Sequence, residues 1–404
     1  MATSQVAAFL KTTAEQLRQR TDDAPITVVL GNEAADLDST IASLLVAHLA
    51  SLNAPENNGR IYVPALPIAR ADLALRTDVT AFLSTLLPDA ANLLFFQDGL
   101  PTIFSPAVAQ PESLQISLTD FNALPPSLAH LHPFVNAILD HHVDAHDYAH
   151  AVPRTITAVG SATTLVVLHY ANVIASLPAL HRAEIATLAL GPITVDTALF
   201  DVGMARATEA DVVAAKMCLA WRDGRDADVP ADANVDATIV TDAARTTHLV
   251  AALDDLHERL HAAKLAISHL PTADLLRKDY KEFRHPTLDN AVYGMASVTW
   301  DLRAWQHRDG ITAWREAVAQ WARDRHLHSL FILTAFADEG RFTRQLAVVA
   351  PESGRAEVIV DAVREQAPEV RLEPSEEGAF GWVRNIKMAR KVIQPVLHRV
   401  LAKL

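Results

Sequence analysis

The sequence predicts an α/β fold in two domains, a doubly wound, mostly parallel sheet followed by a smaller α/β domain. Three observations lead there. Short, fully apolar, β-branched runs such as Ile26–Leu30 have the pattern of central strands covered on both faces. A polar loop and then helical periodicity follow that run, the order of an α/β unit, and the unit recurs along the chain. A chain of 404 residues is also too long for one ordinary core and comfortable for two.

Residues 1–20 read as an opening helix with Val6, Phe9, Leu10 and Leu17 on one side, ended by Pro25. Ile26–Leu30 is the first strand and GNEAADLDS its loop. Helical spacing resumes over residues 40–49, with Asp38 or Ser39 placed to cap it. LLFF (93–96), LQISL (114–118) and VNAIL (135–139) read as further strands, the last two running into TDFN and DHH. A helix of about 14 residues starts near Ser161, and another ends near Leu190 and leads into GPITVDTALF. The loops bearing Asp or His are expected at one edge of one sheet, where open α/β sheets hold their ligands.

Residues 222–236 (RDGRDADVPADANVD) are dense in Asp, Gly and Pro and nearly free of large apolar side chains. They separate a first domain over residues 1–225 from a second over 241–404, with 226–240 as the linker. Helices are expected in the second domain near 241–268 and 310–325, strands over 292–299, 327–335 and 345–349, and a basic amphipathic helix over 385–403.

Charge narrows the function. The chain has 35 Lys and Arg against 48 Asp and Glu, a net charge of -13. Such a surface repels polyanions, which argues against general nucleic-acid or acidic-membrane binding. A polyphosphorylated ligand would need a local basic patch or metal ions. Cys218 is the single cysteine and fits a buried small hydrophobe. The N-terminal residues lack the apolar core of a secretory signal, and no run is long enough to span a membrane. A monomeric cytoplasmic protein is the expectation.

The chemistry rests on spacing. Asn32, Asp36 and Asp38 lie in one loop, where two carboxylates two positions apart on non-helical backbone can turn to one point while Leu37 packs inward. Crowded together without a cation they would repel, and one would hold a proton. A hard divalent metal removes that conflict. Taken alone, this loop is better explained by solvated acids capping a helix. Asp120, then Asp140-His141-His142, then Asp196 repeat the pattern at later element ends, which strengthens the metal reading. Mixed Asp and His ligands suit Mg²⁺, Mn²⁺ or Co²⁺ better than structural zinc. Several shared carboxylates suggest two such ions about 3.5–4 Å apart, the arrangement that generates a bridging hydroxide and clamps a phosphoryl group.

GNEAADLDS, TDFN, DHHVD and PITVDT, in that order, resemble the motifs of the DHH phosphoesterase superfamily. LLRKDYKEF and ARKVIQP resemble its DHHA2 subgroup, which holds the family-II inorganic pyrophosphatases, the fungal exopolyphosphatases and the prune proteins. The resemblance spans essentially the whole chain beyond residue 25. It implies an active site in a cleft between a metal-binding domain and a basic one. Asp36 and Asp120 would ligate one metal, and Asp38, Asp120, His141 and Asp196 the second. His142 would contact phosphate, with Asp140 orienting the histidine loop. Asp38, Asp120 and His142 are the implied catalytic residues. The pair Gly160-Ser161 could offer helix N-terminal N–H groups to phosphate, an ordinary cap being nearly as good a reading.

The last 21 residues hold six Lys or Arg and no acid, and Arg384, Lys387 and Lys391 succeed one another at helical spacing. The resemblance raises Lys281, Arg390 and Lys391 to substrate-phosphate ligands; Arg341 and Arg344 in GRFTRQL are weaker candidates for contacts further along a polyanion, a surface pair on a strand end being at least as good a reading. Two departures stand out. Asn32 replaces a histidine metal ligand of the pyrophosphatases, as in the exopolyphosphatase and prune branch, and would sit beside substrate as a weaker, neutral group. Ala389 stands where the basic motif often has Ser. The implied activity is release of terminal phosphate from inorganic polyphosphate or short polyphosphorylated molecules. The alternatives are a pyrophosphatase and a prune-like phosphoesterase or scaffold.

Overall fold

A computed structural model describes residues 4–21, 24–55, 59–87, 93–104, 113–230, 235–289, 291–375 and 380–404. The chain forms two compact units, Met1–Lys264 and Leu265–Leu404.

In the first unit the elements run α1 (Gln5–Gln19), β1 (Ile26–Leu30), α2 (Leu37–Asn53), β2 (Ile61–Ala65), α3 (Thr77–Leu86), α4 (Leu100–Ile103) and β3 (Leu114–Thr119). They continue with β4 (Val135–Asp140), β5 (Arg154–Ile156), α5 (Ala162–His169), α6 (Ala171–Ser176), α7 (Ala179–Asp196), α8 (Glu209–Arg222) and α9 (Thr247–Leu265). The sheet has the order β2-β1-β3-β4-β5, and every pair in it is parallel. Both faces are covered, as the apolar runs predict. Val28 and Leu30 join Ile116, Leu118 and Ile138 in one core, while Val29 belongs to the other, filled by α2, α7 and α8.

Several elements differ from the sequence expectation for identifiable reasons. LLFF forms a single parallel bridge, Leu66 with Phe95, because the chain turns again at once. The strand β2 is unexpected, since Pro64 argues against a central strand; β2 lies at the sheet margin, beyond β1, where a missing donor is tolerated. The helix expected to stop near Leu190 continues as α7 to Asp196, with Pro192 inside it. Residues 231–234 of the expected linker lie outside the described residues. The segment immediately after them is tied down: Glu209, Ala210 and Val240 donate backbone hydrogen bonds to the carbonyls of Thr238, Asp236 and Ala207. The helix α9, placed at the head of the second domain by composition, buries Leu249, Leu253 and Leu260 in the core of the first unit.

The second unit runs α10 (Thr272–Lys278), β6 (Tyr280–Arg284), β7 (Val292–Val298), α11 (Leu302–Asp309), α12 (Ile311–Asp324), β8 (Leu327–Thr334), β9 (Phe336–Asp338) and β10 (Arg341–Thr343). It ends with β11 (Gln345–Val349), α13 (Arg355–Gln366), β12 (Leu372–Pro374), β13 (Gly381–Val383) and α14 (Arg390–Leu401). Its sheet is mixed, in the order β12-β13-β11-β8-β7-β6, with β7 and β8 parallel. The apolar side of α14, including Ile393, Leu397, Val400 and Leu401, closes the core over Tyr293 and Phe331. Because α14 starts only at Arg390, Arg384 and Lys387 are not part of a helical cationic stripe.

Candidate metal centre

The first unit's strand order reverses between β1 and β3, since β1 continues to β2 on one side and the chain returns to β3 on the other. At such a point the loops leaving the strands part and leave a crevice at their carboxyl ends. Asn32 and Asp36 follow β1, Asp120 follows β3, and Asp140-His141-His142 closes β4. Gly31 is needed for the first of these loops. A Cβ there would meet Ser39 Oγ at 2.3 Å, where the Asn32 N–H donates to that same oxygen at 2.5 Å.

The cap of α2 is Asp36, whose Oδ1 accepts from the Ser39 N–H at 3.0 Å. Asp38 is therefore in the first helical turn and neither it nor Ser39 is the cap. Leu37 packs inward as expected. Asp38 is buried against the start of α5. Its Oδ1 accepts from Ser161 Oγ (2.7 Å), Thr163 N (2.9 Å) and Thr163 Oγ1 (2.6 Å), and its Oδ2 from Ala162 N (2.7 Å). The N–H groups expected to face phosphate are thus taken by an internal carboxylate, the helix-terminus partner that the macrodipole favours. Asp38→Ala would leave these donors buried and unmatched. We expect a loss of about 3 kcal/mol or more in unfolding free energy, read by urea titration.

Asp120, at φ 67°, holds the centre. Its Oδ2 accepts from Asn32 Nδ2 at 2.6 Å, and its Oδ1 lies 3.1 Å from His141 Nε2. His141 Nδ1 donates to the Val159 carbonyl at 3.0 Å, so Nε2 is the nitrogen turned to the acids. Asp140 is fully buried and accepts from the His142 ring Nδ1–H at 2.8 Å, from the backbone N–H of both histidines, and from Asn122. It orients the histidine loop, the role the resemblance implies for it. Ligand atoms of Asp120, His141 and His142 lie within 4.8 Å of one another. A cavity of about 470 Å³ is lined by Asn32, Asp36, Asp120, His141, His142 and Asp196 together with Gly160, Arg206, Thr208 and Ile239. Asp38 is not in this lining; its Oδ2 stands 3.9 Å from His141 Nε2.

Charge in this cavity is unbalanced. Burial pushes the Asp120 carboxyl up to about 8, with Asp38 and Asp36 adding to the rise. Loss of water raises Asp196 well above the carboxylate range, and Asp38, Asp36 and Asp120 raise it further. Asp36 opens onto the cavity yet is raised by the protein around it and by Asp38. Burial works against charge on His141, but its contact with Asp120 and the nearby Asp38 bring it up to about 10. His142 is raised chiefly by its bond to Asp140. Protons occupy positions where positive charge is wanted. Oxygen donors with one imidazole, crowded and proton-loaded, are the donor set of a hard divalent ion. Asp36, Asp120, Asp196 and His141 could hold such an ion directly.

Metal binding should therefore displace protons. Manganese affinity is expected to rise between about pH 6 and 9, with proton release near neutrality measurable by calorimetry in buffers of different ionisation enthalpy. A pH-independent affinity would contradict this donor set.

Sequence reasoning missed Asn122, Val159 and Arg206. Asn122 was within reach, two residues beyond Asp120 in TDFN. The Val159 carbonyl has no side-chain signal, and Arg206 stands alone in its stretch. In the second unit Arg390 is engaged by Asp279, to its carbonyl at 2.9 Å and its carboxylate at 2.6 Å. Lys281 is exposed on β6. Arg344 donates to the Ile386 carbonyl at 2.8 Å, and Arg341 is exposed at the start of β10. The side chain of Lys391 lies outside the described residues.

Known proteins resemble the whole chain. Mouse "Exopolyphosphatase PRUNE1" is 27% identical over 389 residues, covering 94% of this chain and 76% of that protein. A Schizosaccharomyces pombe protein named "Putative exopolyphosphatase" is 27% identical over 409 residues, covering 96% of each. A solved Methanococcus jannaschii structure titled "putative family II inorganic pyrophosphatase" matches with a TM-score of 0.49 and 16% identity, over 93% of this chain and 99% of that one. Residues 258–400 match the DHHA2 domain family. The chain thus carries a DHHA2 domain over residues 258–400, following in sequence the Asp140-His141-His142 triplet at the end of β4.

Proposed function

We propose that this chain is a metal-dependent phosphoanhydride hydrolase that releases terminal phosphate from inorganic polyphosphate. The observation that carries the reading is the convergence of Asp36, Asp120, Asp196 and His141 on one cavity at the carboxyl ends of β1, β3 and β4 and the end of α7. The names of the PRUNE1 and fission-yeast relatives support polyphosphate as the substrate.

Two divalent ions, Mg²⁺, Mn²⁺ or Co²⁺, would supply Lewis-acid polarisation and an activated water. The chain's own residues do the rest. Asn32 and His141 hold Asp120 in position. His142, its Nδ1 tied to Asp140, has its other ring nitrogen available to donate to a phosphate oxygen in the cavity. Lys281, Arg390 and Lys391, with Arg344, are proposed to neutralise the phosphates further along the chain. Among the described residues no helix is long and apolar enough to cross a membrane; the cytoplasm is the proposed compartment.

The test is a phosphate-release assay on polyphosphate of defined length and on pyrophosphate, with each metal supplied and a chelator control. Turnover of the long chain that vanishes with chelator is expected. Preference for pyrophosphate by about tenfold in kcat/KM, or 1.4 kcal/mol, would favour the pyrophosphatase reading instead.

A further inference from the structure

Among the described residues that line the cavity, Arg206 is the one Lys or Arg. Its guanidinium is exposed and makes no hydrogen bond or ion pair with another described residue, although the wall around it carries Asp36, Asp120 and Asp196. Arginines that serve only to balance structural acids close onto them, as Arg154 does on Asp144 at 2.6 Å. Arg206 is left open.

Its backbone, by contrast, is held from several sides. After Asp196 the chain reverses through Ala198, Leu199 and Phe200, consecutive residues in the left-handed region at φ 52°, 56° and 56°. That run costs roughly 1–2 kcal/mol per residue, and the buried Phe200 ring anchors it. Ala205 is left-handed as well, at φ 50°. Thr208 then starts the capping box of α8 with Asp211, and the Ala207 carbonyl accepts from the Val240 N–H at 2.9 Å. On the other side Gly160 lets the loop approach: a Cβ there would lie 3.1 Å from the Arg206 carbonyl oxygen and 2.7 Å from Thr197 Cγ2. The neighbouring Val159 is the residue that fixes His141. A strained turn and a glycine contact thus set an unpaired cation beside the loop that orients the metal-facing imidazole.

We propose that Arg206 is a phosphate-binding residue contributed by the first unit itself, its guanidinium donating to the phosphoryl group lodged against the cavity's acids. The assignment rests on the phosphohydrolase reading above. It predicts a residue that governs phosphate binding without contributing to metal affinity. Bidentate geometry matters, so lysine should serve only in part.

The experiment is calorimetric titration of the full-length, manganese-loaded protein with orthophosphate and with imidodiphosphate, a non-hydrolysable pyrophosphate analogue. For Arg206→Ala we expect Kd for both probes to rise about tenfold or more. Arg206→Lys should fall between Arg206→Ala and wild type. Manganese affinity, titrated separately, should stay within about twofold. Arg206→Gln, closer in length, guards against a folding defect, and thermal unfolding checks each protein. Equal anion affinity in wild type and Arg206→Ala would overturn the assignment and leave the functional reading standing. A wild-type protein that takes up manganese but neither anion would overturn both.

Discussion

Asp120→Asn is expected to lose about a thousandfold or more in kcat, on the order of removing one group poised on developing charge, while the protein still unfolds cooperatively. The substitution is nearly isosteric, and Asn tolerates the left-handed backbone that Asp120 adopts at φ 67°. Its effect on the metal-free protein should be opposite in sign. The Asp120 carboxyl is held at about 8, far above its unfolded value of about 3.9. The native state therefore binds more protons than the unfolded one between those values, and stability falls as pH rises through that window. Asn has no such proton to lose. In chelator, Asp120→Asn should melt above wild type at pH 8, with the difference closing towards pH 4. Near-normal turnover would remove Asp120 from the centre of the site; a lower melting temperature at pH 8 would show that its carboxyl is not strained by burial.

That centre was legible because chemistry and fold coincide at strand ends. Ile26–Leu30, Leu114–Thr119 and Val135–Asp140 are apolar enough to read as covered strands, and acids directly after covered strands must meet at one sheet edge. The illegible part depends on partners distant in sequence. The spacing of Asp36 and Asp38 suggests two carboxylates aimed at one point, but α2 begins a turn earlier than its apolar periodicity, because Asp36 caps it. Asp38 then points to the N–H groups of α5, some 125 residues away in the chain, which local pattern cannot reveal. Arg206 is equally silent. Its place in the cavity follows from a left-handed turn of Ala, Leu and Phe, residues with no turn signature at all. The basic residues of the second unit were readable as a composition, while the pairing of Arg390 with Asp279 was not.

Asn32→His is expected to tighten manganese binding by about tenfold or more and to raise pyrophosphate hydrolysis relative to polyphosphate. By its place in the motif, the Asn32 amide oxygen would be a weak stand-in for an imidazole ligand. The geometry is different. Asn32 Oδ1 accepts from the Ala34 N–H at 2.8 Å, and Nδ2 donates to Asp120 Oδ2 at 2.6 Å and to the Asp120 carbonyl at 3.3 Å. The amide does not face a metal with its oxygen; it clamps Asp120. Histidine at this position would give up that clamp, freeing one carboxylate oxygen, and would bring a neutral nitrogen donor that divalent first-row metals prefer to an amide. Both changes favour the ion. The cost is a less restrained Asp120, so kcat on polyphosphate should fall even as manganese Kd tightens. Asn32→Ala separates the two contributions, because it removes the clamp without adding a ligand. Weaker manganese binding in Asn32→His than in Asn32→Ala would mean that the imidazole cannot reach the ion, and position 32 would then act only through its hold on Asp120.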